Sequence, residues 1–386
     1  MKRLVVIGAG PMGLEAALGA RGRGFDVTVL EKDRVGSALL RWGGTRFFSP
    51  LGMNVSDRVR KAVGSALPPD DALLTGAEMV ERVLEPLARS PPLSGRVRTA
   101  HRVVGVGRSQ MTRSDLPGHP LRTERPFRLL VETPEGERIF EAETVLDASG
   151  VGDIPASVGA GGLPAPGERT SAARMIRHLG PLEAQLPSLA GRKVLLVGHG
   201  HSAANAVALL ERLSPPASVT WAVRSSNRRP CLEVAGDPLP ERQAVTAHAN
   251  DLAADPPAFL TVERRAEVTA IEARSVGFGV ALSGGRGAEY DAIVGLTGYR
   301  PDLSFLSELA LEISPVSEAG ARLARVVSGA ADCLSAPNVG PADLLTGEPG
   351  FHFVGHKSYG RLNTFLLKTG LAHLEAILPL LDAMPA

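Results

Sequence analysis

The stretch "RLVVIGAGPMGLEAA" (residues 3–17) recurs in outline as "KVLLVGHGHSAANAV" (residues 193–207): in each, an apolar run breaks at glycines and opens into a helix-forming segment. A strand feeding a glycine-rich turn and then a helix is the start of a βαβ unit, which commits the chain to a parallel sheet with a phosphate-sized cradle at the carboxyl end of the strand. Two such starts in a chain of 386 residues predict an α/β protein with two Rossmann-like dinucleotide-binding domains.

In the first turn Gly8, Gly10 and Gly13 stand at the three fingerprint positions. Gly8 permits the tight turn, Gly10 lets backbone amides approach a pyrophosphate, and Gly13 lets helix and strand pack closely. The helix opened by Pro11 and Met12 adds orphan N–H groups and a partial positive charge. Glu31, followed by Lys32, closes the next strand. A carboxylate there accepts ribose hydroxyls and repels a 2′-phosphate, so the site is read for an unphosphorylated adenosine, as in FAD or NAD. In the second turn Gly198 and Gly200 keep their places, Ala203 takes the third, and His201 and Ser202 open the helix. Its following strand runs into "VTWAVRSSNRRP", which offers Arg224, Arg228 and Arg229 in place of an acid. Guanidinium groups suit a 2′-phosphate, and this second site is read for NADPH.

Lys and Arg number 42 against 41 Asp and Glu, a formal net charge of +1. With no block of like charge, the composition points away from nucleic-acid and membrane partners. No apolar run reaches the roughly 18 residues of a membrane span, and the signal-like opening "MKRLVVIGAG" meets Glu15 within a few residues. The two cysteines, Cys231 and Cys333, cannot form a disulfide framework, and the expectation is a cytoplasmic protein. Cys333 reads as a small buried hydrophobe. The pairs His199/His201 and His352/His356 lie beside glycine turns without a carboxylate or cysteine at ligand spacing, so they read as turn residues rather than metal ligands.

Thr75 reads as the cap of a helix whose Val80, Val83, Leu84 and Leu87 share a face. "FRLLVET" and "RIFEAE" flank "PEGE" as a hairpin, and the polar, Pro- and Gly-rich residues 109–126 read as a solvated loop or a lid. A dense glycine and proline crossing at 150–167 reads as a connection between domains. The expected division is 1–155 for the first part of an FAD domain, 156–297 for an inserted NADPH domain, and 298–386 for the return of the FAD domain.

Two fingerprints, one with an acid and one with arginines, resemble the flavoproteins with two dinucleotide-binding domains, a group that includes thioredoxin reductases and flavin-containing monooxygenases. "VLDASG" (145–150) resembles the strand end that returns to FAD, and "GLTGYRPD" (295–302) the element that closes the NADPH domain. "RWGGTRFFSP", "GGLPAPGE", "GHSAAN" and "GFHFVGHKSYGR" are similar to a bacterial group of stand-alone, monooxygenase-like FAD oxidoreductases, some associated with arsenic-resistance gene sets. The resemblance implies that Ala148, Ser149, Gly150, Val103, Trp42 and Asn54 lie on the FAD side. It also implies Thr297 and Gly298 on the NADPH side. The late Gly-Asp that meets the flavin in such proteins is here Gly355-His356, with Lys357 and Ser358 following.

Other departures narrow the chemistry. No C-x-x-C pair is present, which argues against a dithiol relay, and no Phe occurs from Glu141 to Ala258, so the F-x-G-x-x-x-H signature of the well-studied monooxygenases is missing. The leading expectation is an NADPH-dependent FAD enzyme that oxygenates a small molecule at a heteroatom with O2, through a flavin C4a-(hydro)peroxide. The alternatives are a reductase or dehydrogenase acting on an organic or quinone-like acceptor, and a non-catalytic flavin redox sensor.

Overall fold

The computed structural model describes residues 1–329, 334 and 337–382. It forms two compact units, residues 1–39 with 49–154 and 300–386, and residues 40–48 with 155–299. In chain order the elements that position the sites are β1 (Arg3–Ile7), α1 (Pro11–Gly22), β2 (Asp26–Leu30) and β3 (Thr144–Asp147). Then come β4 (Lys193–Val197), α2 (His201–Glu211), β5 (Ser218–Val223), β6 (Leu260–Arg264) and β7 (Ala292–Gly295). The chain closes with β8 (Phe351–Phe353) and α3 (Leu367–Asp382).

In the first unit the strands are parallel in the order β8, β3, β1, β2, with a short Val97–Arg98 strand at the edge. Ile7 is in register with Leu30 on one side and Asp147 on the other, so three strand ends reach the same level. The apolar runs are continuous because both faces are covered. One face of the sheet, with Val5, Ile7, Val145 and Phe351, packs with the three-stranded antiparallel sheet Arg102–Arg108, Phe127–Thr133 and Gly136–Ala142. Val103 belongs to this core and is 8% exposed. α1 packs against α3 so closely that a Cβ at Gly19 would sit 2.7 Å from Leu378 Cδ1.

Thr75 caps its helix through a reciprocal pair: Glu78 N donates to Thr75 Oγ1 (3.1 Å), and Thr75 N donates to Glu78 Oε2 (2.7 Å). The helix widens over Val80–Leu84. Pro86 explains this, since it has no N–H to donate and its ring crowds the carbonyl of Arg82.

The loop at 109–126 is mostly exposed and is anchored at Arg122. Arg122 is fully buried and donates from Nε to Glu348 Oε1 (3.0 Å), which also accepts from Arg108 Nε (2.9 Å). Glu348 Oε2 accepts from Ala310 N (3.0 Å). Removing Glu348 would leave two guanidinium groups buried without their counter-charge.

The second unit repeats the scheme with strand order β6, β5, β4, β7, all parallel. A second antiparallel sheet, Val268–Ala273, Phe278–Leu282 and Arg286–Tyr290, completes it. Residues 40–48, assigned to the first domain on sequence, pack with this unit: Gly180 N donates to Arg41 O (2.8 Å) and Gly44 N to Glu183 Oε2 (2.5 Å). Among the described residues no helix is long and apolar enough to cross a membrane.

Candidate functional site

The two glycine turns have almost the same backbone. Gly8 adopts φ +100° and Gly198 φ +123°. The residue before each helix is extended, Gly10 at φ −81°, ψ −176° and Gly200 at φ −86°, ψ −178°. Each turn is tied to its neighbouring strand, Gly8 N to Leu30 O (2.8 Å) and Gly198 N to Ala222 O (3.3 Å).

Inside the protein these glycines are forced by contact. A Cβ at Gly8 would lie 2.8 Å from Ala148 O, one at Gly198 2.2 Å from Leu296 O, and one at Gly13 2.0 Å from Gly8 O. Gly10 and Gly200 differ: an added Cβ would meet no protein atom within 4 Å. Packing does not require glycine there, whereas a phosphate approaching the helix N-terminus does, so both turns fit a pyrophosphate.

The strand ends carry opposite charge. Glu31 is 6% exposed and accepts from Ala9 N through Oε2 (2.7 Å) and from Asp33 N through Oε1 (2.9 Å). Burial pushes its carboxyl above the ordinary carboxylate value, against the pull of those two amides. Its remaining lone pairs are free in number to accept ribose hydroxyls. Lys32 pairs with Asp153 (2.5 Å).

At the end of β5 the three arginines separate. Arg229 is held by Glu233 (2.8 Å) and Asp251 (2.6 Å), and Arg228 donates from Nε and Nη2 to Ala254 O (3.1 and 3.0 Å). Arg224 is exposed and acts on His199, whose imidazole is held below its ordinary value by burial first and by that cation second. His201 meets the ring of Phe48 edge-on at 5.3 Å, and Ala203 is fully buried. Thr297 Oγ1 donates to Ala156 O (2.6 Å), and Gly298, at φ +94°, accepts from Ala156 N (2.8 Å).

Around β3 and β8 the first unit gathers a buried polar cluster. Lys357 Nζ donates to Ser149 Oγ (3.0 Å) and Asp302 O (2.5 Å) and stands 3.4 Å from Asp147 Oδ2, with Lys357 and Asp147 side chains fully buried. Gly355, at φ +72°, abuts Met12, whose Cγ would be 2.8 Å from an added Cβ. Ser358 Oγ donates to Gly355 O (2.7 Å), and His356 stacks on Phe365 (5.3 Å, 10°). Sequence reasoning marked Lys357 for its backbone and passed over Asp147. The available signal was an acid at the end of an otherwise apolar strand.

Two expected flavin neighbours have other visible partners. Asn54 is 6% exposed, with Nδ2 donating to Ser49 O (2.9 Å) and Oδ1 accepting from Ser49 Oγ (2.8 Å). Trp42 belongs to the 40–48 segment and tilts against Phe47 (4.9 Å, 46°). Among the described residues no group of three or more His, Cys, Asp or Glu is placed to hold a metal. Cys231 is buried and its thiol is pushed up to about 11 by burial. Cys333 lies outside the described residues.

Residues 5–80 match the family model described as pyridine nucleotide-disulphide oxidoreductase. No curated protein matches the chain in sequence. Among solved structures, bacillithiol disulfide reductase from Bacillus cereus is similar over 100% of this chain and 99% of its own, at 18% identity and a TM-score of 0.71. Ornithine N-hydroxylase from Kutzneria sp. 744 is similar over 99% of each chain (14% identity, TM-score 0.65). A flavin-containing monooxygenase from Stenotrophomonas maltophilia is similar over the same shares (18% identity, TM-score 0.59). The fold is that of the oxidoreductases with two Rossmann-like dinucleotide-binding domains, one inserted in the other.

Proposed function

We propose that this chain is an NADPH-dependent FAD oxidoreductase that oxygenates a small molecule at a nitrogen, sulfur or other soft atom. The observation that carries the reading is the pair of matched turns with opposite charge at the next strand end, Glu31 after the first and Arg224 after the second. A carboxylate selects the unphosphorylated adenosine of FAD, and a guanidinium selects the 2′-phosphate of NADPH.

FAD, when bound, supplies two-electron chemistry between the nicotinamide and O2 or another acceptor. The chain's own part is positioning. Gly10 and the first amides of α1 receive one pyrophosphate; Gly200 and those of α2 receive the other. Glu31 orients the adenosine ribose through the oxygens that also fix Ala9 and Asp33. Cys231, buried and protonated at neutral pH, is unsuited to a thiolate relay, which favours a diffusible acceptor.

The test is turnover with NADPH under isotopically labelled O2 against a panel of small amines, thioethers and other soft nucleophiles. Product carrying one labelled oxygen atom supports oxygenation. Steady NADPH oxidation without O2, supported by a quinone and giving no labelled product, would establish the reductase instead. A protein that takes up neither FAD nor NADPH would sink both.

A further inference from the structure

We propose that Lys357 is a positioning residue of the flavin crevice: its buried ammonium pins the 147–150 turn against the first glycine turn, so that the backbone receiving the flavin is fixed in advance. This rests on the FAD reading above.

Ligands of open parallel sheets bind outside the carboxyl ends of the strands, and β1, β3 and β8 all end here, at Ile7, Asp147 and Phe353. Ala148 and Ser149 form the wall that Gly8 faces, with Ala148 O 2.8 Å and Ser149 Cα 3.2 Å from the Cβ that Gly8 lacks. Any drift of Ser149 therefore reshapes the cradle. Two bonds hold that residue: its N–H donates to Asp147 Oδ1 (3.0 Å), and its hydroxyl accepts from Lys357 Nζ (3.0 Å). The same ammonium donates to Asp302 O (2.5 Å), on the segment where the chain re-enters the unit. Phe305 covers it from the side, with Nζ 5.0 Å from the ring centre.

The distances separate two explanations for a lysine with no exposed side-chain surface. If its task were to neutralise Asp147, the carboxylate would be its tightest partner, yet Oδ2 at 3.4 Å is the longest of the three contacts. The shorter two go to neutral oxygens on separate segments. A buried ion pair alone is replaceable by apolar groups at little cost, whereas several donors on one small centre can tie the 147–150 turn and the segment at Asp302 to that of Lys357.

Lys357→Met, Lys357→Met with Asp147→Asn, and Ser149→Ala would be prepared as apo-proteins and compared with the parent by FAD titration, thermal melting and, once loaded, flavin midpoint potential. Lys357→Met is expected to weaken FAD binding by about tenfold or more, and the double variant to stay weak although its charge balance is restored. Ser149→Ala, which removes one bond, should weaken binding by roughly three- to tenfold with unchanged melting. The potential should fall in Lys357→Met, which removes a buried positive charge beside the strand ends, and recover in the double variant, which removes the neighbouring carboxylate as well. Lower melting with parental FAD affinity and potential would make the lysine merely structural and overturn the proposal. Recovery of FAD affinity in the double variant would overturn it in favour of charge compensation. A parent that takes up no FAD would overturn the flavin reading itself.

Discussion

The two glycine turns share a backbone and differ in what touches it. At the third position the first turn has Gly13, where a Cβ would be 2.0 Å from a carbonyl oxygen, while the second accommodates Ala203 with no exposed surface. The helix of the first turn therefore sits close on the carbonyl of Gly8, and the third glycine is a matter of local spacing rather than a requirement of phosphate binding. By contrast the middle glycines, Gly10 and Gly200, are unconstrained by protein in both. What the turns hold in common is thus the part that packing does not explain.

The largest expected effect breaks the symmetry at the third position. Gly13→Ala should cost on the order of 3 kcal/mol or more of stability because the overlap is with backbone, whereas Ala203→Gly should cost about 1 kcal/mol. Urea unfolding of both apo-variants checks this, and equal losses would show that the two helices are seated alike.

Acid provides the next contrast. His352 and His373, both in the first unit, are held down to about 4 by burial. The folded imidazoles stay neutral while the unfolded ones bind protons below about pH 6.5. The unfolded state then gains protons as pH falls from there to about 4, and stability is lost across that window, up to roughly 3 kcal/mol per histidine. Calorimetry between pH 7 and 4.5 should show the first unit losing stability before the second. The difference in pH slope between the parent and His352→Gln isolates one residue, and identical slopes would remove it from the account.

Cofactor choice is tested at the strand ends. Arg224→Ala is expected to raise KM for NADPH by about ten- to a hundredfold and leave NADH nearly unchanged. Arg229→Ala should change it no more than a few-fold, since that guanidinium is already held by Glu233 and Asp251. A parent that prefers NADH, or a larger effect from Arg229, would refute this assignment. The smallest effect on stability belongs to Gly10→Ala and Gly200→Ala, whose apo-proteins should melt within a few degrees of the parent, roughly 1 kcal/mol or less, while losing FAD and NADPH affinity respectively.

Much of this frame was readable because it is local. A continuous apolar strand, a glycine turn and a helix are neighbours in sequence, and so are Thr75 and Glu78 in the helix cap. What escaped depends on long-range pairing. Arg122 finds Glu348, 226 residues away, and Lys357 finds Ser149, 208 away; no spacing rule links such positions. The 40–48 segment follows β2 in the chain yet packs with residues around 180, which composition could not reveal. Arg228 and Arg229 looked equivalent to Arg224 because their partners Ala254 and Asp251 lie on a later helix and its end.

The position of β8 and α3 sets an order of events during synthesis. β8 completes the first sheet beside β3, and α3 covers α1 at Gly19 through Leu378, but both are made after every strand of the second unit has been translated. The inserted unit can finish its own sheet while the amino-terminal half still waits with the side of α1 around Gly19 uncovered. Domains fold as units once their chain is available, so the ribosome delivers the whole of the second unit first. A nascent chain stopped near residue 300 would hold a completed second unit and an aggregation-prone first one.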